Sequence, residues 1–320
     1  MTRVLVTGAG GFIGSHLVAR LKQEGHWVRG VDLKHPEFSD VRADEFEILD
    51  LRRRDDALAA TRGVDHVYAL AADMGGMGFI SANHATILRN NSLINLHTLD
   101  AARLNGVEHY LYTSSACVYP EHLQTSAEVT PLREEDAYPA APQDAYGWEK
   151  LFTERLVEYF SSDFGMNVRI VRFHNIYGPL GTWDGGREKA PAAICRKVAQ
   201  AADGEEIEIW GDGLQTRSFC YIDDCIEGIL RLMHSDYQLP INLGTDHMVT
   251  INELAEIVIG ISGKRDLTLR HVDGPQGVRG RNSDNTRLRE ILGWEPAISL
   301  EEGLEPTYRW IEKQVQGSES

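Results

Sequence analysis

The chain is predicted to be an α/β protein, a doubly wound parallel sheet of Rossmann type with a smaller, loop-rich C-terminal lobe. Three observations predict it. Strand-like and helix-like segments alternate over roughly the first 175 residues. Glycines spaced GxxGxxG (Gly8, Gly11, Gly14) close the first strand-like run and open the first helix-like one. After about residue 180 the alternation gives way to short elements and to loops rich in Gly, Asp and Arg.

The elements follow in order. "RVLVTG" is a short β-branched run, and "FIGSHLVARLKQEG" has apolar residues at helical spacing up to Gly25. "WVRGVDL" is a second strand. "HVYALAA" (66–72) and "HYLYTSS" (109–115) are later strands, separated by a helical stretch from about 80 to 105. "AYGWEKLFTERLVEYFSSDFG" (145–165) is helical, and "NVRIVRFHNIYGP" is a strand with its exit loop. The loops "GTWDGGREK", "WGDGLQTRS" and "DGPQGVRGRNSDN" then mark the second lobe. We therefore expect a sheet domain over 1–178, a ligand-binding lobe over 179–313 that returns in part to the sheet, and a disordered tail over 314–320. There are no internal repeats.

The 320 residues are 42% hydrophobic and 25% charged, enough for a large core. A net charge of −16, from 32 basic and 48 acidic residues, argues against nucleic acid or an anionic membrane as partner. An anionic ligand would need a local basic cluster. Glycines interrupt the apolar N-terminus, no small-residue cleavage site follows, and no run reaches the roughly 18 apolar residues of a membrane span. A soluble, cytoplasmic protein is expected. Cys117, Cys195, Cys220 and Cys225 form no CxxC pair, so neither a disulfide scaffold nor a metal site is read. The last three read as small buried apolar residues.

The glycine turn suits a pyrophosphate, because the backbone can approach it and the helix N-terminus supplies N–H donors. Phe12 and Ile13 open that helix. Asp32 ends the next strand, where a carboxylate can accept hydrogen bonds from a ribose and repels a 2′-phosphate; NAD is favoured over NADP despite nearby Lys34. Asp50 and Leu51 are candidates to hold the adenine, with a plain helix cap as the competing reading.

Tyr146 and Lys150, four apart, project from one helix face. A lysine there is expected to lower the phenol's pKa and make a phenolate available. Ser115 would orient the same hydroxyl.

The segments "TGAGGFIG", Asp32, "SSACVYP", "YGWEK" and "RFHNIYGP" resemble those of the extended short-chain dehydrogenase/reductase proteins that act on nucleotide sugars. The resemblance implies a tightly held NAD regenerated within each cycle. It implies Tyr146 as the base for a sugar hydroxyl, Lys150 on the nicotinamide ribose, and Asn91 bracing the strand that carries the site.

Members of that family that dehydrate sugars typically carry Asp and Glu at the two positions after the catalytic Ser or Thr. Here they are Ala116 and Cys117. Alanine cannot protonate a leaving hydroxyl, so dehydration is disfavoured. A simple 4-epimerase needs no titratable group there. Proton removal and return at carbon remains: a ketone at C4 acidifies the C–H bonds at C3 and C5, and a base and an acid on opposite faces invert a centre. Lys189 is the candidate second group. Pro191 reads as the first residue of a helix, and Arg187 and Lys189 at its positive end are easier to explain beside something anionic or reacting.

"MGGMGF", "PQDAYGWEK", "GGREKAPAAICRK", "WGDGLQTRSF" and "GVRGRNSDN" narrow the resemblance to family members that epimerise a GDP-hexose as homodimers, and imply Cys117 and Lys189 as the acid/base pair. Departures are Trp148, where leucine is expected, and a slightly longer 199–208 segment. The alternative is another NDP-sugar epimerase or 4-ketoreductase on the same scaffold. An NAD-binding regulator without turnover is disfavoured because Tyr146 and Lys150 are both kept.

The basic cluster for a diphosphate is Arg187, Lys189, Lys197, Arg217, Arg279 and Arg281. Asn175 would donate to the α-phosphate, Gln215 and Arg217 would precede the strand "SFCYI", and Gly75 and Gly76 would bring N–H groups to the sugar. Asp223 and Asp224 read as helix caps, and His174 as a structural residue at a strand end.

Overall fold

The computed structural model describes residues 1–275 and 277–318. β1 (Arg3–Thr7), α1 (Phe12–Gln23), β2 (Trp27–Asp32), β3 (Glu45–Ile48), α2 (Arg54–Ala60), β4 (His66–Ala69), α3 (Met77–Ala82), α4 (His84–Leu104), β5 (His109–Ser115), α5 (Ala145–Phe164) and β6 (Asn167–Phe173) build the first half. β7 (Ile176–Tyr177), α6 (Ala190–Gln200), β8 (Glu206–Trp210), β9 (Thr216–Ser218), β10 (Cys220–Tyr221), α7 (Ile222–His234), β11 (Pro240–Leu243), β12 (Met248–Thr250), α8 (Ile251–Ser262), β13 (Thr268–Val272), β14 (Gly280–Arg281), α9 (Thr286–Leu292) and α10 (Leu300–Ser318) follow.

The main sheet has seven strands in the order β11-β6-β5-β4-β1-β2-β3, and every pairing is parallel. Its order reverses direction at β1, leaving a crevice at the carboxyl ends of β1 and β4, where ligands of open α/β sheets bind. β11 joins β6 from the far side of the second lobe, so the chain returns to the sheet at Pro240. One core, around Leu17, Val28, Tyr68, Ile229 and Leu304, covers one face and continues under α6, α8 and α10. A second, around Leu5, Val67, Leu99, Tyr112 and Ile170, lies beneath α2, α4 and α5.

The second lobe is held by small sheets. β9 lies between antiparallel β12 and parallel β14, and β8 pairs with β13. Arg217 therefore stands within a strand, with Gln215 just before it.

The tail differs from expectation. α10 continues through residue 318, because Leu304, Tyr308, Ile311 and Val315 repeat at helical spacing and all four are buried. The rest of the expected tail, residues 319–320, lies outside the described residues. Among the described residues no helix is long and apolar enough to cross a membrane.

Candidate active site

The cofactor end is built by close approach. A Cβ on Gly14 would stand 2.1 Å from the Gly8 carbonyl oxygen, and Gly8 itself has φ +71. Only glycine lets α1 start this near the end of β1. At Gly11, the N-cap of α1, a Cβ would approach nothing nearer than the Gly8 carbonyl oxygen, at 3.3 Å. A glycine-built helix N-terminus of this kind fits a dinucleotide pyrophosphate. Phe12 and Ile13 are partly buried against the core. The Asp32 carboxylate accepts from the backbone N–H of Gly10 (3.0 Å) and of Leu33 (2.6 Å), while Lys34 turns away to Glu37 (2.8 Å). The end of β2 thus carries a carboxylate while Lys34 is engaged by Glu37, which fits NAD. Asp50 is tied to Arg52 (2.7 Å), which holds its carboxyl below the ordinary range, and Leu51 is in the core.

α5 places the redox residues. The Asp144 side chain caps it, accepting from the Gly147 N–H (2.9 Å), so the helix begins one residue before Tyr146. "DAYG" carried this signal, which the sequence reading missed. A Cβ at Gly147 would meet the Cys117 carbonyl oxygen at 2.2 Å, so this glycine lets the segment bearing Cys117 rest on α5. Ser115 ends β5, accepts from the Cys117 N–H (3.1 Å) and acts on the Tyr146 phenol.

The expected lowering of the Tyr146 pKa does not arise from the polypeptide. Burial pushes the phenol well above its ordinary value, and the Cys117 sulfur adds to this; the Ser115 hydroxyl opposes it. The Lys150 ammonium donates to the Thr113 carbonyl (2.9 Å) and lies 5.6 Å from the Tyr146 ring centroid. Burial pushes Lys150 below the usual lysine range, while Glu149, Glu154 and Cys117 pull it back.

Asn91 braces a different element from the one expected. Its amide clamps the backbone of Asp73 from both sides (2.6 and 3.1 Å), fixing the loop after β4 rather than β5. That loop carries "MGGMGF". Its Gly76 N–H is given to the Arg187 carbonyl (3.1 Å) and not to a ligand, and a Cβ there would meet the Glu188 carbonyl oxygen at 2.7 Å. Gly75 packs on Phe79, over whose ring the Arg187 guanidinium lies at 3.8 Å. The loop is thereby strapped to the segment before α6.

Lys189 is the N-cap of α6, and Pro191 is its second residue rather than its first. The lysine side chain is exposed to solvent. Desolvation pushes its ammonium down, Cys117 and Cys225 pull it up, and Arg281 lowers it further. Arg281 also donates from Nη1 to the Cys117 sulfur at 3.4 Å. Burial, with Arg281 nearby, pushes Arg217 down to about 9, and Cys117 opposes. Ser115, Cys117, Tyr146, Lys150, Lys189, Arg217 and Arg281 therefore share one electrostatic neighbourhood.

Other expected residues stand apart. Arg279 pairs at the surface with Asp212 (2.7 Å). Lys197 donates to the Glu208 carbonyl (2.7 Å) beside Trp210. Gln215 is buried and donates to the Trp210 carbonyl (3.2 Å). Asn175, at φ +47, gives an amide hydrogen to the Ser218 carbonyl (2.9 Å). Asp224 accepts from the N–H groups of Ala297 and Ile298 (2.9 and 2.8 Å), tying the approach to α10 instead of capping its own helix; Asp223 lies in the first turn of α7. His174 is structural: fully buried, bonded to Asn242 (2.9 Å), and pushed by burial to about 3. Cys195, Cys220 and Cys225 are buried.

A family model described as NAD dependent epimerase/dehydratase family matches residues 4–244. The chain belongs to this NAD dependent epimerase/dehydratase family. Within it, the chain is 55% identical over 316 residues to GDP-mannose 3,5-epimerase 1 of Oryza sativa subsp. japonica, covering 98% of this chain and 82% of the rice protein. It is 54% identical to GDP-mannose 3,5-epimerase of Arabidopsis thaliana, covering 98% and 83%. Among solved structures it resembles UDP-glucose 4-epimerase with UDP-glucose from Thermotoga maritima, with TM-score 0.86, 28% identity, and 98% and 99% of the two chains covered. It also resembles MoeE5 in complex with UDP-glucose and NAD, with TM-score 0.82, 28% identity, and 98% and 99% covered. The family, with these epimerase relatives, makes the chain an NAD-dependent epimerase.

Proposed function

We propose that this chain is a GDP-mannose 3,5-epimerase. It converts GDP-D-mannose to GDP-L-galactose, with GDP-L-gulose as the product of inversion at C5 alone. The observation that carries this reading is the Cys117 sulfur within electrostatic reach of both Tyr146 and Lys189, in a chain more than half identical to enzymes of that name.

NAD, once bound, supplies a hydride acceptor at C4 and a pyridinium charge that the polypeptide lacks. Tyr146, oriented by Ser115, takes the C4 hydroxyl proton, and Lys150 holds the charge near it. The ketone acidifies C3 and C5. Cys117 and Lys189, from different lobes, remove a proton on one face and return one on the other. Desolvation of Lys189 suits this work, since it brings an ammonium nearer to neutral operating pH. Arg281, on the sulfur, offsets negative charge when the thiol has given up its proton. Arg217, which shares the electrostatic neighbourhood of Cys117 and Arg281, is the group that would meet a nucleotide diphosphate.

Homodimerisation and a cytoplasmic setting belong to the same reading. Trp148, Phe152 and Tyr159 on α5 and Leu88 and Leu96 on α4 are exposed on adjacent packed helices, an apolar face suited to a second copy. The unexpected Trp148 thus adds to that face. All four cysteines are free thiols, which suits a reducing compartment.

The test is incubation with GDP-mannose in deuterium oxide. Deuterium at C3 and C5 of the recovered sugar is expected; exchange at neither carbon would favour the alternative of a plain NDP-sugar 4-epimerase or ketoreductase. Light scattering on the eluted protein, reading a dimer mass, checks the assembly.

A further inference from the structure

Gln124 is fully buried at the end of a short turn, seven residues after Cys117. Its amide Nε2 donates to the carbonyls of Tyr119 (3.1 Å) and Pro120 (3.2 Å), and its Oε1 accepts from Arg281 Nε at 2.6 Å. These partners fix the amide's orientation, because carbonyls only accept and a guanidinium only donates. The Gln124 carbonyl also accepts from the Arg279 N–H (2.9 Å), so backbone and side chain together grip the strand carrying Arg281. The far edge of the same guanidinium donates to the Cys117 sulfur at 3.4 Å.

Two arginines in this strand region are held in opposite ways. Arg279 is gripped by the Asp212 carboxylate, which cancels its charge. Arg281 is gripped by a neutral amide and, among the described residues, forms no ion pair. A neutral anchor fixes the fork without cancelling its charge, and so leaves that charge to act on the sulfur.

We propose that Gln124 is a positioning residue that holds an uncompensated Arg281 guanidinium against the Cys117 sulfur and so sets the reactivity of that thiol. Its catalytic meaning rests on Cys117 acting as an acid/base group, as read above. The positioning itself is testable without substrate.

The experiment measures iodoacetamide alkylation of Cys117 in the NAD-loaded enzyme across pH, by peptide mass. The other three cysteines are buried. Gln124→Met and Arg281→Met should each slow alkylation about ten-fold at neutral pH. Gln124→Met on the Arg281→Met background should add nothing. Gln124→Glu, which supplies a cancelling carboxylate, should also slow it. In turnover, Gln124→Met should lower deuterium exchange about ten-fold while NADH formation stays within about two-fold. Alkylation at the wild-type rate in Arg281→Met overturns the proposal, whether or not Gln124 variants fold. So does an additive effect in the double variant. A wild-type enzyme that shows no deuterium exchange, yet passes the alkylation test, would sink the proposed function and leave the positioning intact.

Discussion

The two halves of the site are built differently. Ser115 and Tyr146 sit at the end of a strand and the start of a capped helix, with Lys150 one turn on, all anchored by the main sheet. Cys117, Lys189 and Arg281 come from a turn, a helix N-cap and a two-residue strand far apart in sequence, and Arg281 meets the Cys117 sulfur at 3.4 Å. Regular elements fix the first set to one another. The second set depends on adaptors: Gly147 beneath Cys117, Gly76 against residues 187–188, and Gln124 on Arg281. Oxidation at C4 should therefore survive damage to the proton-exchange half, while nothing survives damage to the redox half.

Tyr146→Phe is the harshest test of this asymmetry. Loss of the group proposed to take the C4 proton should cut NADH formation and deuterium exchange together, by about 10³-fold. A variant that still exchanged solvent hydrogen into the sugar would break the ordering of the two halves. Cys117→Ala should be more selective: NADH still forms, but exchange at the carbon facing residue 117 disappears. Lys189→Ala should leave abortive 4-keto products, detectable by mass. Full double epimerisation by either variant removes that residue from its role.

The same division explains what was legible in the sequence. Glycines, Asp32, Ser115, Tyr146 and Lys150 lie at fixed offsets within consecutive elements, so a linear reading located them. Cys117 was legible because it follows Ser115 by two. The offsets say nothing about what occupies each group after folding. Gly76 spends its N–H on Arg187, Arg279 is neutralised by Asp212, and Tyr146 is governed by burial rather than by Lys150. The tail was misread because its polar ending hid Val315, the last residue of an apolar stripe. Gln124 left no signal, since it meets Arg281 across 157 positions.

What joins the halves is a buried polar network, and acidification probes it most gently. The Tyr119 hydroxyl donates to Asn242 (2.6 Å), whose Oδ1 also meets His174 (2.9 Å). Arg172 reaches Tyr119 (3.2 Å) and pairs with Glu154 (2.7 Å), next to Ser114 at the base of the site. Burial holds His174 down at about 3; Arg281 and Arg172 add to this and the Asn242 bond opposes it. The folded state thus keeps this imidazole neutral, whereas the unfolded chain protonates it below about 6.5. The unfolded state binds more protons, so the contribution to stability is present above about pH 6.5 and shrinks as pH falls toward 3. At pH 5 this one group should cost about 2 kcal/mol relative to neutral pH. Urea unfolding of wild type and His174→Gln at pH 7.5 and 5 should show the variant losing less stability by about that amount. Equal losses would mean the imidazole takes up its proton inside the fold, and the joint between the halves would then be looser than the hydrogen bonds imply.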